Sequence, residues 1–360
     1  MDDGVKFWVG FHRVPFIGPT RIDRLIRRFG NLEQAWRASD ATLRTILDER
    51  SVESLLKTRA ELSLDDEMER IHRLGINVIT RDDVSYPWRL AQIAAPPPVL
   101  YLKGALTTAD DNAVAIVGTR RSTPYGREVT QRLAEELGAA GVTIVSGLAL
   151  GIDGVAHESA LRAGARTVAV LGSGPDIIYP SSHRRLAERI VDQGAVLADY
   201  PPGSTPDARN FPARNRIISG LCRGVVVVEA PERSGALITA DFAAEQGREV
   251  FVIPGSVLAA ASAGCHRLLR DGARPVTSAA DVLIDLGISN ASTAATAVQQ
   301  ALPLDEEQRR VLSLLTAEPQ HIDEIAAATS MPIGQLGALL IELELGGSVR
   351  NLGAQHYARR

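Results

Sequence analysis

Ala113-Val114-Ala115-Ile116-Val117 runs directly into Gly118-Thr119-Arg120-Arg121, and this stretch decides the fold. Its first half is continuously apolar, as a strand buried on both faces of a parallel sheet requires. Its second half is polar and glycine-led, and Pro124 stands where it can open a helix. The same succession repeats along the chain. Apolar runs occur at Val142 to Val145, Thr167 to Leu171, Ala195 to Leu197, Val225 to Val228 and Val250 to Ile253, with a short piece at Pro275-Val276-Thr277. Helical stretches separate them, and the one from Tyr125 to Ala140 sets Val129, Leu133 and Leu137 on one face. The expected class is α/β, with a doubly wound parallel sheet.

Upstream, residues 1–75 form a small helical domain, helix-hairpin-helix-like or SAM-like. Ile17-Gly18-Pro19 is its turn, and Ile22, Leu25, Ile26 and Phe29 follow at helical spacing. Such a module serves either DNA-backbone contact or protein interaction. Between Ile76 and Gly104 the chain is extended and proline-rich, read as a strand, a covering segment and a strand. Residues 76–287 therefore make an extended Rossmann-like domain. Small polar residues mark 288–303 as a linker. Residues 304–360 follow the order of a winged helix: helices at Glu306 to Thr316, Ile322 to Ala328 and Ile333 to Leu345, then Gly346-Gly347 and an extended stretch ending at Tyr357.

With 360 residues, 45% of them hydrophobic, the chain has material for a large core and smaller satellites. The apolar runs are too short for a bilayer and no signal segment opens the chain, so a cytoplasmic protein is expected, with no membrane partner. Cys222 and Cys265 are read as packing residues, because a disulfide scaffold or zinc site needs more ligands at suitable spacing. The net charge of −4 gives no bulk attraction for nucleic acid, so any phosphate affinity must come from local clusters.

In a doubly wound sheet, ligands bind beyond the carboxyl ends of the strands. Gly118-Thr119-Arg120-Arg121 joins helix-terminal amides to arginines, which suits an anion. The second loop, Ser146-Gly147-Leu148-Ala149-Leu150-Gly151-Ile152-Asp153-Gly154, lets backbone approach a ligand closely. Gly172-Ser173-Gly174 and Ser234-Gly235-Ala236-Leu237-Ile238-Thr239 complete the rim. The chain lacks G-x-G-x-x-G after the first core strand and a Walker lysine, which disfavours ordinary dinucleotide or triphosphate binding. Asn210-Phe211-Pro212-Ala213-Arg214-Asn215-Arg216 places an aromatic ring among arginines. An aromatic face stacks on an unpaired base while arginines neutralise phosphate; a helix cap with Phe211 in the core is the other reading. Asp153, His157, Asp176, His183, Glu229 and Asp241 are the available acid–base groups, but they form no recognised catalytic spacing. No catalytic residue, cofactor or metal is expected.

At these residues the chain closely resembles the DprA (Smf) family. Ala115-Ile-Val-Gly-Thr-Arg120, Val145-Ser-Gly-Leu-Ala-Leu-Gly-Ile-Asp153 with Ala156-His157, Ile178-Tyr-Pro180, Asn210 through Ile218, Ser234 through Thr239 and Val252-Ile-Pro-Gly255 are similar to its motifs, in order, from about Ile79 to Leu286. The resemblance implies a single-stranded DNA-binding protein that works as a dimer through the Rossmann-like domain. It further implies protection of incoming DNA and loading of the RecA recombinase during natural transformation. It makes Arg120, Phe211, Arg214, Asn215 and Arg216 the expected DNA contacts, with Gly118, Thr119, Ser146 and Gly147 offering backbone or hydroxyl groups to phosphate. The alternative is a nucleotide-binding or nucleotide-hydrolysing enzyme similar to lysine-decarboxylase-like proteins. Their Pro-Gly-Gly-x-Gly-Thr loop with a following Glu is not matched, since Thr239 is followed by Ala240 and Asp241.

Two departures limit what the resemblance carries. Gly264-Cys265-His266 precedes Leu268-Leu269 where many members have Gly-x-Asn before Leu-Ile. From Leu304 to Arg360 there are five Arg against eight Asp plus Glu, a net of −3, and the third helix has Glu342 and Glu344 without Lys or Arg. That balance opposes major-groove docking and favours a protein-interaction or regulatory module, with DNA contact through Arg350, Arg359 and Arg360 on the wing as the alternative.

Overall fold

Alternate residues of each apolar run pack on opposite faces of one sheet. In the strand Ala113–Val117, Val114 and Ile116 join Leu133, Leu137, Ile152 and Ala156 on one side. Ala113, Ala115 and Val117 join Ile217, Leu221 and Leu237 on the other. Both faces are covered, so the run is apolar throughout.

The computed structural model describes residues 4–288, 306–316, 320–329, 331–345, 349–351 and 355–359. The expected linker, from 289 onward, lies outside them. Contacts divide the chain into two compact units, one ending at Asn290 and the other starting at Ala291.

The first unit opens with helices α1 (Val5–His12), α2 (Pro19–Phe29), α3 (Leu32–Arg37), α4 (Asp40–Leu43), α5 (Glu49–Glu61) and α6 (Leu64–Arg73). Then come β1 (Asn77–Thr80), α7 (Trp88–Ala91), β2 (Val99–Gly104), β3 (Ala113–Val117), α8 (Pro124–Ala139), β4 (Thr143–Ser146), α9 (Ile152–Arg162) and β5 (Thr167–Leu171). The unit continues with α10 (Arg184–Gln193), β6 (Ala195–Ala198), α11 (Asn210–Leu221), β7 (Gly224–Val227), α12 (Gly235–Glu245), β8 (Glu249–Val252), α13 (Ala263–Arg270), β9 (Arg274–Pro275) and α14 (Ala279–Asp285).

The sheet order is β1-β2-β6-β5-β4-β3-β7-β8-β9. From β6 through β9 every pairing is parallel, as expected for a doubly wound fold. The proline-rich segment adds an antiparallel edge, with β1 on β2 and β2 on β6. Hydropathy placed β4 one residue early, because pairing continues through polar Ser146, whose hydroxyl donates to the Ile116 carbonyl at 2.6 Å. The six amino-terminal helices build their core from Phe11, Ile22, Leu25 and Leu55, together with Val99 and Tyr101 of β2. The helical module is thereby packed onto the sheet's antiparallel edge. Cys222 and Cys265 are both buried in the core.

In the second unit, helices Glu306–Leu314, Ile322–Thr329 and Ile333–Leu345 surround Val311, Ile325, Leu336, Leu340 and Tyr357. A three-stranded sheet pairs His356–Arg359 with Gln320–His321 and Val349–Asn351. This is the expected winged helix. Arg360 and the side chains of Arg350 and Arg359 lie outside what is described. Among the described residues, no single helix is long and apolar enough to cross a membrane.

Candidate nucleic-acid interface

The chain winds outward from β3 through β4 and β5 to β6, then returns to place β7 on the other side of β3. The loops after β3 and β7 diverge there, and such a switch point leaves a crevice. A hollow of about 610 Å³ occupies it. Of the nine residues expected to contact DNA, Gly118, Thr119, Arg120, Phe211, Arg214 and Asn215 line it.

Local chemistry holds each wall. Thr123 caps α8 by accepting from Gly126 N at 3.1 Å, and its own N–H donates to Glu229 Oε2 at 2.9 Å. Thr119 N donates to the Glu229 carbonyl at 2.7 Å. Buried Glu229 is thus occupied in tying the β3 loop to the β7 loop. Ser234 caps α12, and Asn215 Nδ2 reaches across to the Gly235 carbonyl at 3.2 Å. At the start of α11, Asn210 Nδ2 donates to the Gly172 carbonyl at 3.1 Å and Tyr200 OH donates to Asn210 O at 3.3 Å.

Phe211 projects from that anchored turn and lies flush against Gly172, where any Cβ would stand 3.0 Å from the ring. A side chain at position 172 would crowd the ring, so glycine there favours this close approach. Tyr179 lies 5.6 Å from Phe211, ring centroid to ring centroid, tilted by 46°. The Arg120 guanidinium stands 5.5 Å from the Phe211 centroid. An aromatic pair beside an exposed cation offers a flat π-face and a phosphate partner in one place.

Arg214 is only 4% exposed. Its Nη1 donates to the Gly147 carbonyl at 3.0 Å, while Gly147 N donates to Asp153 Oδ2 at 3.1 Å. Burial pushes Asp153 above the usual carboxylate range, opposed by nearby Arg214. Burial also lowers Arg214, to about 10.

Three expected contacts fall elsewhere. The hydroxyl of buried Ser146 is held by Ile116 O, and both polar groups of buried Gly147 are engaged by Arg214 and Asp153. Arg216, one helical step past the crevice wall, pairs with Asp199 and donates to the Ala95 carbonyl. Asp199 also faces His12 Nε2 of α1 at 3.3 Å, so Arg216 braces the sheet to the helical module. Sequence reasoning missed Tyr179 and Arg233, which line the crevice. Arg233 sits immediately before the Ser234 loop, and its charge there was the available signal.

The other acid–base candidates are scattered. His157 is buried with Nδ1 at 2.7 Å from Thr167 Oγ1, and burial lowers its pKa to about 3. Asp176 accepts from Gly203 N at 2.9 Å, and His183 Nδ1 donates to the Leu148 carbonyl at 3.0 Å. Asp241 is exposed on α12. Among the described residues, no group of three or more His, Cys, Asp or Glu side chains is disposed to hold a metal.

Residues 77–287 match the family described as DNA recombination-mediator protein A, and residues 295–355 match the DprA winged helix domain. The chain is 37% identical to Protein Smf of Synechocystis sp., covering 98% of each. It is 48% identical to the DNA processing protein DprA of Streptococcus pneumoniae over 56% of this chain and 72% of that protein. Among solved structures it is similar to that of DNA processing protein A from S. pneumoniae, with a TM-score of 0.70 and 36% identity over 78% of this chain and 97% of the other. A structure of DNA processing protein A from Helicobacter pylori, described by its single-stranded DNA binding mode, matches with a TM-score of 0.53 and 32% identity over 59% and 95%. The chain belongs to the DprA (Smf) family.

Proposed function

We propose that this protein binds single-stranded DNA in the crevice between the β3 and β7 loops, protects it, and hands it to the RecA recombinase. It would act as a homodimer through the Rossmann-like domain, in the uptake of DNA by natural transformation. The observation that carries the reading is the Arg120, Phe211 and Tyr179 group at the mouth of the crevice. Unpaired bases have free faces to stack there, and duplex bases do not. The relative whose single-stranded DNA binding mode is described shares the fold. The acidic winged helix fits a protein partner or a regulatory role better than a phosphate backbone.

The protein is read as a binding protein and not an enzyme. Glu229 is occupied by Thr123, and Asp153 by backbone N–H groups. The test is competition for a labelled thymidine oligomer by unlabelled oligomer, duplex and mononucleotide, followed by RecA filament assembly on strands precoated with single-strand-binding protein. Preference for the oligomer and faster filament assembly support the reading. Equal competition by mononucleotide, or turnover of it, would replace the reading with a nucleotide site.

A further inference from the structure

A second hollow, about 730 Å³, lies between α8 and α9 and shares Arg120 with the crevice. The ledge between the two is built rigidly. Ile152 N donates to Thr119 O at 3.2 Å, and Gly151, at φ +79°, sits so close to the β3 loop that a Cβ would lie 2.3 Å from that carbonyl. The loops after β3 and β4 are therefore fused, and Arg120 is exposed at their junction.

Beyond the ledge the surface is basic. Arg121 and Arg127 are exposed, and Arg127 Nη1 donates to the Ser122 carbonyl at 2.9 Å, which aims the side chain along the groove wall. Among the described residues no carboxylate pairs with Arg120, Arg121 or Arg127. The carboxylate that lines the groove, Glu158, pairs with Arg189 at 3.0 Å, and Glu135 on α8 pairs with Arg162 at 2.5 Å. The crest carries Leu150, an apolar side chain 49% exposed between cations. Surplus positive charge flanking a half-exposed apolar residue suits a chain of phosphates bearing flat, weakly polar bases.

Resting on the reading of the crevice as a single-strand site, we propose that the strand continues from it over Leu150 into the α8–α9 groove. There Arg121 and Arg127 each neutralise a phosphate. The crevice grips one segment through stacking, and the groove grips the next through charge, so affinity grows with strand length beyond what the crevice alone supplies.

The test uses the full chain and thymidine oligomers of about 4 and about 16 nucleotides, a span matching single-strand site sizes. Affinity is measured against salt for wild type, Arg121→Gln/Arg127→Gln, and Arg121→Lys/Arg127→Lys. The proposal expects the Gln pair to bind the short oligomer as wild type does. On the long one it should lose about tenfold in affinity and about 1.4 from the salt slope, two phosphates at about 0.7 each. The Lys pair should keep the slope. Unchanged long-oligomer binding by the Gln pair overturns the groove. Equal losses at both lengths overturn it too, since the arginines would then serve the crevice. If wild type binds neither oligomer, the crevice reading itself fails.

Discussion

Arg214 Nη1 donates to the carbonyl of Gly147 at 3.0 Å, linking α11 to the β4 loop across 67 residues of sequence. The N–H of the same glycine donates to Asp153, so a buried cation and a buried carboxylate are held on two sides of one residue. A guanidinium committed in this way shapes the crevice wall and leaves the exposed Arg120 to meet solvent. Replacing Arg214 by Ala strips the Gly147 carbonyl and removes the positive charge that opposes Asp153 desolvation. The expected loss is about 3 kcal/mol of stability. Urea unfolding checks it; a change under about 0.5 kcal/mol, the range of ordinary surface substitutions, would contradict the role.

Phe211→Ala removes the ring that faces Tyr179 and Arg120. Affinity for a thymidine oligomer should fall by about 1–3 kcal/mol, the worth of one stacked base, with the salt slope retained. Phe211→Trp should bind at least as well as wild type. Fluorescence titration distinguishes the two outcomes.

Arg216→Ala should separate structure from binding. Its partners are Asp199 and the Ala95 carbonyl, away from the crevice lining. Its removal leaves Asp199, also in contact with His12, short of a cation. The expected result is a thermal midpoint lowered by several degrees, about 1–2 kcal/mol, with an unchanged salt slope for DNA. A slope reduced by about 0.7 would instead place Arg216 on a phosphate.

His157 sets a pH dependence. Thr167 Oγ1 donates to the Ile144 carbonyl at 2.7 Å, so His157 Nδ1–H donates to Thr167, and buried Nε2 has no hydrogen-bond partner among the described residues. Burial holds its pKa at about 3 against 6.5 unfolded. The unfolded chain therefore binds a proton that the folded chain refuses, and stability present above pH 6.5 is lost as pH falls toward 3. The loss is roughly 4 kcal/mol. Unfolding measured from pH 7 to 4 should show this limb, and His157→Gln should flatten it; an identical pH profile in the variant would contradict the assignment.

The sheet was legible because burial on both faces writes itself as continuous apolar runs, from Ala113–Val117 onward. The crevice rim was legible because several glycine-led loops follow the carboxyl ends of the strands, one of them beside an arginine pair, although each glycine alone is explained by close packing. Side-chain direction was not. Within α11, Arg214 and Arg216 differ by two positions, which a helix turns into different faces. One closes the crevice wall and the other braces the helical module, and nothing local in sequence separates them. Ser146 likewise reads as a phosphate donor until the Ile116 carbonyl is placed beside it. Tyr179 was missed because its partner ring, Phe211, is brought to it only by the fold.

The most direct test of the single-strand assignment is the salt dependence of affinity for a thymidine oligomer of about 16 nucleotides, in wild type and in Arg120→Ala/Phe211→Ala. The account predicts steep, salt-sensitive binding by wild type. The folded double variant should lose at least about tenfold in affinity and show a slope smaller by about 0.7. Equal affinity and slope in the two proteins would contradict it.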